Sequence, residues 1–141
     1  MLKLLQKINW KKGSGEIIGF GIVMPMLVLL FCGIISAAQL SMANETLQYS
    51  AYSSCRAAVV TADESLALTR AETVAKEIVS QNGTIDTSTL DVKLTLMDVA
   101  YGWKKGNFVQ CDVTVYVDTM MPFTSRTRTA SIIMMIERPA N

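Results

Sequence analysis

The sequence predicts an α+β protein: a long N-terminal transmembrane and amphipathic helix, a second helix, then a small three-stranded antiparallel sheet. Three observations carry this reading. Residues 17–43 form a run of 27 without a single charge, IIGFGIVMPMLVLLFCGIISAAQLSMA. Small and apolar residues then recur at spacings of three and four as far as Ala58. Beyond residue 90 the apolar period drops to two, the period of a half-buried strand.

Composition narrows the chemistry. The 141 residues contain 13 Lys and Arg against 12 Asp and Glu, a net charge of +1, so there is no electrostatic case for a nucleic-acid partner. Histidine is absent and there are three cysteines, which excludes the usual zinc-ligand sets and any Ser–His–Asp or Cys–His site. No constellation of acid, base and nucleophile stands out, so neither an enzyme nor a metal or cofactor site is expected. Outside the leader and the apolar run, about 95 residues remain, enough for one small domain.

The basic leader, 1–16, comes first. Lys3, Lys7, Lys11 and Lys12 stand ahead of the run, and no acidic residue precedes Glu16. A spanning helix needs about twenty mostly apolar residues, so the run is long enough to cross a bilayer. Charges beyond it are mixed. Because positive residues are retained inside, the expected topology is single-pass in the cell membrane. The N-terminus is cytoplasmic, 17–43 spans, and 44–141 forms an extracellular α+β domain.

Three kinds of membrane segment compete for the run. A cleavable signal peptide would use Ser36 and Ala38 as the small residues before the cut, but the stretch exceeds the usual h-region of roughly 7–15 residues. A lipoprotein signal needs a small residue before the cysteine, and Phe31 precedes Cys32. A retained helix fits better. Pro25 does not veto it, since prolines are tolerated in membrane helices, although a weakened hydrogen-bond ladder and a kink are expected near Gly21.

The helix is expected to continue over 44–60, where no proline or glycine intervenes. Leu40, Ala43, Leu47, Ala51, Ser54 and Ala58 form one stripe, suited to covering the protein's own sheet or to close approach by another helix. Thr61 and Glu64 have the spacing of a capping box, which would open a second helix over 63–81. Ala67, Ala71, Val74 and Ile78 give its apolar face, and Asn82-Gly83 is a stop signal.

Strands are expected at about 91–99, 108–118 and 126–136. In the first, Val92, Leu94 and Leu96 alternate with Lys93 and Thr95. In the second, Val109, Cys111, Val113, Val115 and Val117 share one face, with Gln110, Asp112, Thr114 and Tyr116 on the other. The polar, glycine-bearing stretch 101–107 reads as the hairpin loop between them. In the third, Arg126, Arg128, Ala130, Ile132, Met134 and Ile136 share a face that becomes apolar toward its end. Three antiparallel strands covered by helix on one face make a stable two-layer unit.

Cys32 falls inside the span as an apolar filler, whereas Cys55 and Cys111 fall in the exported part. There they are either a disulfide or two buried free thiols.

The order of basic leader, long apolar helix with an amphipathic continuation, and small sheet resembles a type IV pilin-like subunit. More narrowly, the chain resembles the TadE-like proteins of the tight-adherence pilus system and their Gram-positive relatives. Lys11-Lys12-Gly13-Ser14-Gly15 followed by the apolar run with Pro25 is like that family's leader. Tyr52-Ser53-Ser54-Cys55-Arg56-Ala57-Ala58-Val59 is similar to its Ala-Arg-Ala-rich helix, and the Val-x-Val strand ends in Met121-Pro122-Phe123. The resemblance implies a structural subunit, a minor pilin or pseudopilin. Its implied partners are the membrane, other pilin-like subunits, the assembly machinery and a prepilin peptidase.

Prepilin peptidases cut after a glycine, which makes Gly13 and Gly15 the candidate processing sites. The pilin pattern places a glutamate at the fifth mature position. Here that position is Ile18 counting from Gly13 or Phe20 counting from Gly15, and alignment on Pro25 puts Gly19 there. Glu16 is the nearby carboxylate left for the assembly role, in which a glutamate neutralises a neighbouring subunit's N-terminal amine; otherwise it is solvated beside Lys11 and Lys12 at the headgroups. A membrane-tethered binding module is the alternative function. It would use the 103–105 loop, with Trp103 beside Lys104 and Lys105, unless that tryptophan packs over its own hairpin.

Overall fold

The computed structural model describes residues 10–137, with side chains from Ile18 onward. Its elements run α1 (Trp10–Val59), α2 (Glu64–Val79), β1 (Ile85–Leu96), β2 (Phe108–Val117) and β3 (Arg126–Met135). This is α+β, with a long apolar helix, a second helix and a three-stranded antiparallel sheet in the order β1-β2-β3. The chain divides into two units, Met1–Ile35 and Ser36–Asn141.

In the first unit the described residues are helical from Trp10, so the helix starts ahead of the expected residue 17. The assignment runs through Pro25 without interruption. A mid-helix proline removes one amide donor and crowds the preceding turn, a defect that an apolar helix tolerates when neighbouring groups take up the freed carbonyl.

The second unit has two layers. β2 is the central strand, and its register fixes which side chains meet the helices. Val109, Cys111, Val113, Val115 and Val117 are fully buried, while Gln110, Asp112, Thr114 and Tyr116 face outward. Across the ladder, Val113 sits opposite Val92 and Ala130, and Cys111 sits opposite Leu94 and Ile132. On the outer face Thr114 and Thr129 are paired and their hydroxyls bond at 2.9 Å.

Both helices contribute to the core that covers this valine face. Of the expected stripe, Ala43, Leu47, Ala51, Ser54 and Ala58 of α1 are buried and Leu40 is half-buried, with Ser50 and Cys55 buried beside them. These side chains are small, and among them the Cys55 thiol reaches the Ile132 carbonyl of β3 at 3.9 Å. In α2 the buried positions are Ala67, Ala71, Ala75 and Val79, a strict four-residue repeat. The expected pair Val74 and Ile78 is only half-buried. The buried face keeps Ala67 and Ala71 as expected and continues at a spacing of four to Ala75 and Val79.

Three local expectations change. The capping box does not form: the N-cap of α2 is Asp63, and it makes no side-chain cap. The Thr61 hydroxyl instead donates backward to the Ala57 carbonyl at 3.0 Å, in the last turn of α1, and Thr61 is buried. β1 begins at Ile85, not near residue 91, because Ile85 and Asp86 pair with Val117 and Tyr116 before the register slips. Within the slip, the Thr89 hydroxyl accepts the Tyr116 amide at 2.8 Å, where a ladder carbonyl would otherwise serve. Asp86 accepts the Ser88 hydroxyl and amide, which holds its carboxyl below the usual carboxylate range.

Candidate membrane-anchoring and assembly surface

The apolar part of α1 is almost wholly exposed. From Ile18 to Leu30 every residue is exposed, and Met26 reaches 73%. An unbroken solvent-facing surface of Ile, Leu, Val, Met and Phe on all sides of a helix has no stable aqueous solution, whereas it matches a hydrocarbon phase. The helix is long and apolar enough to cross a membrane. Pro25 lies within this exposed stretch.

Among the described residues of α1, the first buried one is Ser36. From Ile17, where the uncharged run begins, to Ile35 is 19 residues. That is about 28 Å of helix at 1.5 Å per residue, close to the hydrocarbon thickness of about 30 Å. The uncharged run of 27 residues therefore has two parts. The first has the length of a bilayer core. The second, including Leu40 and Ala43, is uncharged because it begins the domain's core.

Two polar side chains sit at that changeover, and sequence reasoning did not assign them this role. The Ser36 hydroxyl accepts the Met121 amide at 3.2 Å, and the Gln39 side-chain carbonyl accepts the Met120 amide at 3.0 Å. They tie the β2–β3 turn, 118–125, to α1 across more than 80 residues of sequence. The turn is braced from within. The Ser125 hydroxyl accepts the Thr119 amide at 3.0 Å and donates to Asp118 at 2.9 Å, while the Thr119 hydroxyl donates to the Met121 carbonyl at 2.9 Å. The signal that could have found this site is the i, i+3 spacing of Ser36 and Gln39 within an otherwise apolar run.

At the other end of the domain, Trp103 is 7% exposed and donates its indole N–H to the Thr61 carbonyl at 3.0 Å. It is part of the domain's buried core and is tied to the segment just after α1. The alternative in which it is displayed for a ligand does not fit this placement. Asn107 braces the same hairpin, donating to the carbonyls of Asp98 and Gly102 at 2.8 Å each. Gly102 and Gly106 take positive φ there, a conformation that favours glycine. Arg56 and Glu137 form an exposed ion pair, and the Glu137 amide donates to the Val59 carbonyl at 3.1 Å, tying the strand end to the helix.

Cys55 on α1 and Cys111 on β2 are brought side by side as buried free thiols, and Cys32 is a half-buried free cysteine. The Cys55 thiol also points at the Ile132 carbonyl, 3.9 Å away, on the strand residue opposite Cys111. The hydrogen bond between the thiols holds Cys55 below the ordinary thiol range. The same bond and burial push Cys111 far above it.

Lys3 and Lys7 lie outside the described residues, and so do the side chains of Lys11, Lys12, Gly13, Gly15 and Glu16. The backbone of the last five is helical.

Compared with known proteins, residues 18–56 match the family model of the TadE-like protein. The match covers the exposed apolar part of α1 and ends at the exposed Arg56, one residue beyond the buried Cys55. No curated protein and no solved structure matches the chain.

Proposed function

We propose that this chain is a structural subunit of a tight-adherence-type pilus, a minor pilin or pseudopilin anchored and assembled through α1. The observation that carries the proposal is that the TadE-like match, 18–56, covers both parts of α1, the exposed apolar stretch and most of the small-residue stripe buried in the domain. In this reading α1 spans the cell membrane with the leader in the cytoplasm, and the two-layer domain lies outside. Other pilin-like subunits approach α1 laterally, where the bilayer is its alternative partner.

Gly13 and Gly15 are the processing sites in this proposal, because a peptidase must bring backbone close to its catalytic groups and a glycine leaves room. The fifth-position glutamate of the pilin pattern is missing, so Glu16 takes its task by a shift in register. A carboxylate there meets the free amine of a neighbouring subunit, an attraction that strengthens as water is excluded.

The test is N-terminal peptide mapping with quantification of sheared pili. The double variant Gly13→Leu/Gly15→Leu is expected to leave uncut precursor in the membrane. Glu16→Ala is expected to leave protein amount unchanged but to lower incorporation into filaments. Maturation and assembly of both variants like the parent would remove the proposal, and a plain single-pass anchor would replace it.

A further inference from the structure

We propose that the β2–β3 turn, 118–125, is a second membrane contact: its apolar tip, Met120 and Phe123, enters the outer headgroup–acyl boundary of the bilayer next to α1. This rests on the reading of α1 as a membrane span.

The argument starts from the height of the turn along the helix. Its two anchoring bonds go to Ser36 and Gln39, the residues at which α1 passes from a fully exposed surface to a buried stripe. Counting from Ile17, the first residue after Glu16, a helix rising 1.5 Å per residue reaches the far hydrocarbon boundary at about that point. A turn bonded there is held at the lipid interface.

The chemistry of the turn is then inverted relative to a water-facing one. Loops at a protein surface usually display their polar side chains. Here Thr119, Thr124 and Ser125 turn inward and spend their hydroxyls on one another, on Asp118 and on the Met121 carbonyl. The large apolar side chains are left outside: Phe123 is 79% exposed and Met120 59%. Satisfying the turn's polar groups internally is what entry into a poorly hydrating phase demands. The exposed Arg126 follows the tip at the start of β3, placed to meet lipid phosphate while the tip meets acyl chains.

The experiment uses the full chain in vesicles of phosphatidylcholine and phosphatidylglycerol. A nitroxide is attached at Met120→Cys in a Cys32→Ala background, with the buried Cys55 and Cys111 left in place. Collisions with oxygen, which partitions into lipid, are compared with collisions with a water-soluble nickel chelate. Leu29→Cys marks the expected hydrocarbon interior and Thr95→Cys the expected aqueous face. The oxygen-to-nickel ratio at position 120 is expected to be several-fold above that at 95 and below that at 29. Adding Phe123→Asp is expected to return position 120 to the aqueous value. A lipid value at 29 with an aqueous value at 120 would overturn the turn proposal alone. An aqueous value at 29 would overturn the spanning reading, and the turn proposal with it. Protection at 120 that grows with the protein-to-lipid ratio, with dipolar broadening between labels, would assign the tip to a second copy of the chain and reject lipid as its occupant.

Discussion

Over 18–35 and over 36–59, α1 is one helix with opposite surroundings. In the first stretch nearly every side chain is exposed whatever its size, and Phe, Met, Leu and Ile point in all directions. In the second, a stripe at spacings of three and four is buried and consists of Ala, Ser, Cys, one Leu and one Val, while Tyr49 and Tyr52 remain outside. Volume is therefore unconstrained in one stretch and tightly constrained in the other. A bilayer accommodates any apolar shape because its chains are fluid, but a sheet ten ångströms away, as packed layers are, accommodates only the side chains that fit.

The largest way to break this comparison is to place a charge in the constrained region. Val113→Asp and Val115→Asp each put an unpaired carboxylate on the face that α1 covers, where both valines are fully buried. Burying such a group costs several kcal/mol or forces its protonation, which is comparable to the whole stability of a small domain. Thr114→Asp, between them on the outer face, is expected to be mild. Thermal unfolding of the detergent-solubilised chain measures all three, and equal loss in all three would show that the face assignment is wrong.

The next effect concerns the one place where the constrained stripe carries chemistry. We propose that Cys55 and Cys111, neighbours across the helix–sheet interface, close to a disulfide when the chain folds beside an external disulfide oxidant. The two thiols give up two protons and two electrons, and the oxidant's S–S bond is cleaved to two thiols. Because Cys111 holds its proton tightly and both groups are buried in the fold, the exchange has to precede full packing. Closing a loop of about 55 residues is worth about 4 kcal/mol in the chain-entropy view. Refolding with oxidised glutathione is expected to give a mass lower by two hydrogen atoms and a higher unfolding midpoint than refolding with reductant. Identical masses under the two conditions would leave the pair as buried thiols.

What the sequence made legible follows the same division. The period-two run of β2 and the small-residue stripe of α1 were readable because one face of each is buried along its whole length, so burial writes a regular pattern into the residues. β1 was misjudged at its start because Asp86, Thr87, Ser88 and Thr89 do not alternate; their place in the strand comes from the Thr89 bond to Tyr116, set by the partner strand. Thr61 was misread because S-or-T-x-x-E is a local pattern, and here the last turn of α1 takes the hydroxyl while Trp103 takes the carbonyl. In α2, Ala75 was passed over for Val74 because alanine carries little hydrophobic signal, although it is buried. The tie between Ser36, Gln39 and the 118–125 turn was invisible because its partners are more than 80 residues apart. Of the expected assembly residues, Pro25 could be placed on the exposed stretch, while Gly13, Gly15 and Glu16 await the processing experiment.

The smallest expected effect sharpens the comparison within the second stretch, because it applies one substitution to an exposed and a buried position of the same helix. Ala51 is fully buried in the stripe, and Ala38 is exposed on the same helix. Both are helical, so the intrinsic propensity change on going to leucine is slight and equal at the two sites. At Ala51 the added atoms meet the packed face of the sheet and must displace α1 or force strained rotamers, a cost of about 1–3 kcal/mol. At Ala38 they meet solvent or lipid, and the change is expected to stay within about 0.5 kcal/mol, as for ordinary surface substitutions. Chemical unfolding of Ala51→Leu and Ala38→Leu in the same detergent measures the difference. If the two variants unfold together, α1 is not seated on the sheet as closely as its alanines require, and the buried stripe would have to be reassigned to a partner helix.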